Sequence, residues 1–240
     1  RPPRSTLYPY TTLFRSHNLG NYATIYGGNG NDTIELDCYG SEGSNNSYVN
    51  GGNGDDSIEN WAPNVTIDGG EGNDSVYNYA NYTSISGGAG NDSIYSSYSY
   101  YNTVDAGAGN DTVRGYFYSS KIYGGDGADR ISISSNVATN TVDGGAGADS
   151  IYAYGGTING GADNDTINVY YGGSINGGAG NDRISISSYE YSAGTINGGL
   201  GNDTIYGGVN SRNGLVYQYA SGDGTDYIYN FGASSSSISA

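Results

Sequence analysis

The stretch Gly27-Gly28-Asn29-Gly30-Asn31-Asp32-Thr33-Ile34-Glu35 decides the fold, because the chain keeps returning to it. The phrase Gly-Gly-x-Gly-x-Asp-x-(Ile/Val)-x begins ten times, at Gly27, Gly51, Gly69, Gly87, Ala106, Gly124, Gly144, Gly160, Gly177 and Gly198. Successive starts lie 24, 18, 18, 19, 18, 20, 16, 17 and 21 residues apart. A period near 18 residues means stacked supersecondary units, a solenoid and not a globule. The glycines, the aspartate and the aliphatic keep their offsets while the rest drifts, so the fixed part carries the physics.

Closely spaced glycines permit positive φ and close approach of neighbouring backbones. A turn of this composition can aim several carbonyl oxygens at one point, and the aspartate that ends it adds a carboxylate. After the turn, Thr33-Ile34-Glu35 reads as a short strand with its aliphatic inward. A second strand precedes each turn: Thr24-Ile25-Tyr26, Val65-Thr66-Ile67, Ser84-Ile85-Ser86, Thr103-Val104-Asp105. Each has an aliphatic beside polar neighbours, as period-two alternation requires. One coil is then two strands and two turns, stacked on the next at about 4.8 Å. One inward file is Ile34, Ile58, Val76, Ile94, Val113, Ile131, Ile151, Ile167, Ile184 and Ile205. The facing file is Ile25, Val49, Ile67, Ile85, Val104, Ile122, Val142, Ile158, Ile175 and Ile196.

Two aliphatics per coil make a thin core, and stacking aligns a column of charge. Asp32, Asp56, Asp74, Asp92, Asp111, Asp129, Asp149, Asp165, Asp182 and Asp203 would stand one above another. Like charges about 5 Å apart repel by roughly 3 kcal/mol at an effective dielectric of about 20. A cation is expected between them. Carboxylates and carbonyls without His or Cys form a hard-oxygen site, which favours calcium over magnesium.

These residues resemble the RTX (hemolysin-type) calcium-binding nonapeptide repeat, over about Gly27 to Phe231. The resemblance implies an all-β, right-handed parallel β-roll, a β-solenoid of about ten coils with a degenerate C-terminal cap. Eight of the ten copies match every fixed position; Ala106 replaces one first glycine and Asp163 one third glycine. Aspartate visits left-handed conformations at modest cost. The implied metal set is the ten aspartate side chains with the loop backbone at Gly27, Gly30, Gly51, Gly54, Gly69, Gly72, Gly87, Gly90, Gly107, Gly109, Gly124, Gly127, Gly144, Gly147, Gly160, Gly177, Gly180, Gly198 and Gly201. In the family an ion sits between adjacent loops, so ten loops offer up to about nine calcium ions in one file. Family members with back-to-back nonapeptides have calcium on both edges. Here the second edge reads Asn60-Trp61-Ala62-Pro63-Asn64, Asn78-Tyr79-Ala80-Asn81-Tyr82 or Tyr154-Gly155-Gly156, which predicts one file only. The 24-residue interval need not break it, because Cys38 to Asn46 can bulge from that second edge.

The ends differ from the repeats. Residues 1–16 share nothing with them, and Thr6 to Ser16 resembles a translated sequencing adapter with a substitution at Tyr8. The expected organisation is a non-native or disordered lead-in at 1–16, a calcium-binding roll at 17–206, a degenerate repeat and cap at 207–233, and a disordered tail at 234–240. The net charge of −16 disfavours nucleic acid and anionic membranes. No apolar run is long enough to span a membrane. Cys38 is the single cysteine, so no intrachain disulfide exists. An apolar fraction of 35% with 43 glycines suits a chain that stays unfolded until it meets calcium. Weak sites of about 10⁻⁴–10⁻³ M would make folding a compartment switch, placing the protein outside the cell or at its surface.

Other features read more plainly. Asp68, Asp105 and Asp143 precede the glycines and are expected as strand ends. Tyr77, Tyr95, Tyr123, Tyr152 and Tyr206 flank inward aliphatics and should face out, stacking across strands or offering a face to glycans or other surfaces. Trp61 reads as a loop anchor. His17 is the single histidine, which leaves a His-based triad without support and an enzyme unexpected. The outward residues Tyr26, Asn50, Asp68, Ser86 and Asp105 are too irregular for an ice- or sugar-binding flat array. The expected function is a calcium-rigidified segment of a secreted bacterial adhesin or surface protein, monomeric as a fragment. The alternative is an accessory module of a type I-secreted enzyme or toxin whose catalytic domain lies upstream.

Overall fold

Ile25 and Ile34 show how a repeat becomes a coil. Thr24–Asn29 is a strand with Ile25 buried and its neighbours half-exposed. The chain bends at Gly30 and leaves as Thr33–Asp37, with Ile34 and Leu36 buried. The first strand therefore runs on through Gly27, Gly28 and Asn29, further than its Thr24-Ile25-Tyr26 core suggests. The next coil repeats the path: Tyr48–Asn53 lies parallel to Thr24–Asn29 with Val49 opposite Ile25. Ser57–Asn60 lies parallel to Thr33–Asp37 with Ile58 opposite Ile34. Odd and even strands thus enter two separate parallel sheets, and hydrogen bonds run between coils, not within them.

The computed structural model describes residues 6–7, 14–17, 22–37, 46–135, 139–187, 194–207, 214–230 and 237–239. They contain strands and no helix. The chain divides into two units, Arg1–Ile122 and Tyr123–Ala240. In the first, Thr66–Glu71, Ser84–Ala89 and Thr103–Ala108 continue one sheet. Ser75–Asn78, Ser93–Tyr100 and Thr112–Tyr118 continue the other. In the second, Thr141–Ala146, Gly156–Ala162, Gly173–Ala179 and Gly194–Leu200 form one sheet. Arg130–Ile133, Ser150–Ala153, Thr166–Val169, Arg183–Ile186 and Thr204–Tyr206 form the other. Every aliphatic in both expected files is at most 2% exposed. The core of each unit is thus two facing stripes of small branched side chains.

Beyond the repeats, Leu215–Gln218 joins the first sheet and puts buried Tyr217 opposite Ile196. Tyr227–Tyr229 joins the second with Ile228 opposite Ile205. Two short pieces of the lead-in also take strand positions: Thr6–Leu7 beside Thr24–Asn29, and Phe14–His17 beside Thr33–Asp37. Ser237–Ser239 pairs with Leu215–Gln218. Cys38 and most of the segment expected to bulge, to residue 45, lie outside the described residues.

On the edge away from the aspartates, several described turns place a residue with positive φ three positions before the inward aliphatic. In the first unit Asn64, Tyr82, Tyr101 and Ser119 hold it, with φ of 58°, 56°, 58° and 51°. In the second unit Gly155 and Gly172 stand there at 152° and 94°. A left-handed conformation costs an L-residue about 1–2 kcal/mol and a glycine almost nothing.

Candidate metal file along the aspartate edge

The repeat aspartates are buried; Asp56, Asp74, Asp92, Asp149, Asp165, Asp182 and Asp203 are at most 2% exposed and Asp32 is 7% exposed. One carboxylate oxygen of each explains its position. The backbone N–H of Asp32 donates to Oδ1 of Asp56 at 2.7 Å, that of Asp56 to Asp74 at 2.7 Å, and that of Asp74 to Asp92 at 2.7 Å. In the second unit Asp149 donates to Asp165, and Asp165 to Asp182, each at 2.8 Å. Asp182 donates to Asp203 at 2.8 Å. Each side chain thus staples its loop to the preceding one. The staple between Asp32 and Asp56 holds across the long first interval, so the inserted residues do not interrupt the file.

The other oxygen has no such partner. Oδ2 of Asp32, Asp56, Asp74, Asp92, Asp149, Asp165, Asp182 and Asp203 is buried and accepts no hydrogen bond. A buried unsatisfied acceptor is costly, and a buried unpaired charge more so. Two further observations show what surrounds it. A Cβ placed on Gly27 would stand 2.8 Å from Asp32 Oδ2 and would collide with the carbonyl oxygen of Gly51 in the next loop. The same pair, own carboxylate and next carbonyl, confronts a Cβ at Gly51, Gly69, Gly144, Gly160 and Gly177. The strand register also steps over these glycines, running through Asn159↔Asn176 and resuming at Gly161↔Gly178. Carboxylate and carbonyl oxygens converge on a space without a donor, and only a glycine leaves that space open.

This set fits a hard cation. Oxygen-only donors, with one carboxylate per loop and backbone carbonyls supplying the rest, suit calcium's flexible coordination. Among the described residues no three His, Cys, Asp or Glu side chains gather into a metal cluster. Burial is the largest cause raising the carboxylate pKa values, with neighbouring aspartates adding to it and the inter-loop N–H bonds opposing it. Asp92 and Asp165 are pushed up to about 7, and Asp56, Asp149 and Asp182 to about 6. A cation would reverse this by favouring the ionised form.

The two imperfect copies behave differently from each other. Asp163 adopts φ of 76°, the left-handed conformation its glycine-replacing position requires. Ala106 is buried and its carbonyl faces Gly87 as the glycines' carbonyls do elsewhere, but it carries a methyl group where the other copies have none. Asp68 and Asp143 sit on the outer face, accepting from Asn50 at 2.8 Å and Asn159 at 2.9 Å, and Asp105 is exposed. None of the three joins the buried file.

Three features lie outside the fixed positions of the ten copies, the first in the degenerate repeat expected at 207–233. Asp226 extends the file, accepting from the N–H of Asp203 at 3.0 Å, in a loop whose Gly222 and Gly224 have φ of 106° and 103°. A second, exposed ladder runs one residue earlier in the loops that carry Asn or Asp there, in the opposite sense. Asp55 N–H donates to Asn31 Oδ1 at 3.0 Å, Asn73 to Asp55 at 2.8 Å and Asn91 to Asn73 at 2.8 Å. The recurring Asn or Asp before eight of the ten aspartates was the available signal, interrupted by Ala128 and Ala148. The third feature is a neutral ladder on the far edge. Asn60 Nδ2 donates to Asn78 Oδ1 at 2.8 Å, and Asn78 Nδ2 to Ala80 O at 2.9 Å. Asn102 N–H donates to Ser120 Oγ at 3.0 Å. Its signal was limited to Asn60 and Asn78, each two residues past an aliphatic and 18 residues apart.

A family model described as the RTX calcium-binding nonapeptide repeat (4 copies) matches residues 24–37, 64–80, 84–97, 105–132, 136–167, 157–173, 174–185 and 193–210. No curated protein matches the chain in sequence. Among solved structures, the chain is similar to a hyperactive, Ca2+-dependent, β-helical antifreeze protein from an Antarctic bacterium. The TM-score is 0.57 at 21% identity, covering 94% of this chain and 84% of that one. At that identity the likeness speaks for the β-solenoid fold alone.

Proposed function

Because the chain belongs to the RTX calcium-binding nonapeptide repeat family, we propose that it is a calcium-folded structural segment whose ions lie along the aspartate edge. The observation that carries this reading is the file of buried Oδ2 atoms, which at Asp32, Asp56, Asp74, Asp92, Asp149, Asp165 and Asp182 lie beside the carbonyl of the next loop and accept no hydrogen bond. In this reading Asp32, Asp56, Asp74, Asp92, Asp111, Asp129, Asp149, Asp165, Asp182 and Asp203 supply the charge. The loop glycines keep the space open and present carbonyls. Calcium supplies the positive charge that lets the carboxylates stay ionised at close spacing. The chain's own residues hold the loops in register through the Oδ1 staples and exclude water from the file.

Such a segment is rigid where calcium is abundant and unfolded where it is scarce. That supports export as an unfolded chain and a working place outside the cell, in a secreted adhesin or surface protein. Calorimetric titration of the chelator-stripped chain tests the binding. The expected result is uptake of several calcium ions, up to about nine, with magnesium failing to replace them. Absence of calcium uptake at millimolar concentration would overturn the proposal.

A further inference from the structure

The far edge of the first unit carries the longest run of stacked aromatics among the described residues. Its turns, residues 60–64, 78–82, 97–101 and 115–120, contain no charged residue in a chain of net charge −16. They are filled with aromatics, hydroxyls and amides. Trp61 stacks on Tyr79 with centroids 4.0 Å apart, and Tyr98 on Tyr116 at 4.7 Å. Tyr100 stacks on Tyr118 at 4.7 Å, and Tyr82 on Tyr101 at 5.2 Å. Tyr82, Tyr98 and Tyr101 nevertheless remain 55%, 66% and 55% exposed.

Folding alone does not account for these tyrosines. Tyr82 and Tyr101 occupy the left-handed turn position, and Tyr98 is also left-handed with φ of 51°. A bulky aromatic there is an outlier, whereas glycine and asparagine accept the conformation readily. The same chain uses Asn64, Gly155 and Gly172 at that position, so its turns close without tyrosine. Strained backbone that displays exposed side chains points to a use for those side chains.

We propose that this aromatic edge binds a neutral oligosaccharide. Aromatic rings offer an apolar face to the C–H face of a pyranose, while phenol, hydroxyl and amide groups match the sugar hydroxyls. The acidic chain disfavours polyanions, and charge beside these turns is sparse: Glu59 accepts from Trp61 Nε1 at 3.2 Å, and Lys121 follows the last turn. Successive coils repeat the rings in rows, which suits a polymer of repeating rings. The calcium file lies on the other edge, so the two sites use different residues.

Trp61, the single tryptophan, lies in the patch and makes its emission a local reporter. The calcium-loaded full chain would be titrated with cellohexaose, maltohexaose, xylohexaose and chitohexaose. At least one should shift Trp61 emission saturably. The double variant Tyr82→Asn, Tyr101→Asn should weaken that binding at least about tenfold, with its calcium-dependent circular dichroism retained because asparagine accepts the turn. An emission unmoved by all four sugars would overturn the proposal, as would equal binding by a folded double variant. Tighter binding of the polyanion alginate would also overturn it. So would sedimentation showing that the variant abolishes a dimer formed through this edge, since the occupant would then be a second copy.

Discussion

On one edge of a coil, Asp74 is 1% exposed and its Oδ2 meets no donor. On the other edge Asn78, equally buried, donates to Ala80 O at 2.9 Å and Ser96 Oγ at 3.3 Å and accepts from Asn60 at 2.8 Å. The aspartate recurs in every copy and the asparagine only at Asn60 and Asn78, with Ser96 in the next coil, but both bridge adjacent coils. The amide carries donor and acceptor in one group, so a column of amides and hydroxyls completes itself. The carboxylate carries acceptors only, so a column of aspartates is left one positive partner short per gap. In the proposed reading, calcium dependence therefore belongs to one edge of the roll and not to the sheets or the core.

The loop itself is the harshest place to test that division. Gly90→Val should prevent folding even in saturating calcium. Gly90 has φ of 132°, and a Cβ there would run into the carbonyl of Gly72. Native circular dichroism from this variant would show that the loop tolerates another path. Next comes the aspartate file. Asp92 borders two gaps and the first repeat aspartate, Asp32, one, so Asp92→Ala should lose about twice the calcium-dependent stabilisation of Asp32→Ala. Equal losses in calcium-dependent thermal melts would mean that the ligands are not shared between loops.

A pH titration in chelator sharpens the comparison without mutation. Asp92 and Asp165 sit near 7 in the metal-free fold against an ordinary 3.8, and Asp56, Asp149 and Asp182 near 6. A raised carboxylate pKa means the folded state holds its proton more tightly than the unfolded one. Stability from these groups is then fully present below about pH 4 and is lost as pH rises through 6 to 7. The stripped chain should gain strand signal on acidification, and calcium at pH 7 should restore it. A stripped chain more stable at pH 8 than at pH 5 would contradict the buried, unneutralised file. The smallest effect is expected on the neutral edge. Asn78→Ala removes amide bonds only and should cost about 1–3 kcal/mol, equally with and without calcium. A calcium-dependent loss there would erase the distinction between the edges.

Much of this was legible in the repeat. Ile34 and Ile25 with their successors were readable because period two and the 18-residue spacing each place an aliphatic inward, and tertiary packing merely follows. The aspartates were readable because stacked like charges need a partner. What Asp56 does with its first oxygen was not, because a hydrogen bond to the previous loop's N–H depends on the pitch between coils. The far edge was harder still. Asn60 and Asn78 have the composition of ordinary turns, and only the coil stacking turns them into a ladder. That Tyr82 and Tyr101 would take a position suited to glycine could not be read from a pattern in which glycine is the usual marker of positive φ. Trp61, expected as an anchor, is 46% exposed and stacks sideways on Tyr79.

The most direct test of the calcium edge is far-ultraviolet circular dichroism of the chelator-stripped chain during calcium titration, with magnesium as control. The account predicts a coil-to-strand transition in the submillimolar to millimolar range, roughly 10⁻⁴–10⁻³ M, that magnesium does not reproduce. A spectrum already rich in strand at neutral pH and unmoved by calcium would contradict it, and would leave the aspartates as turn residues of a metal-independent solenoid.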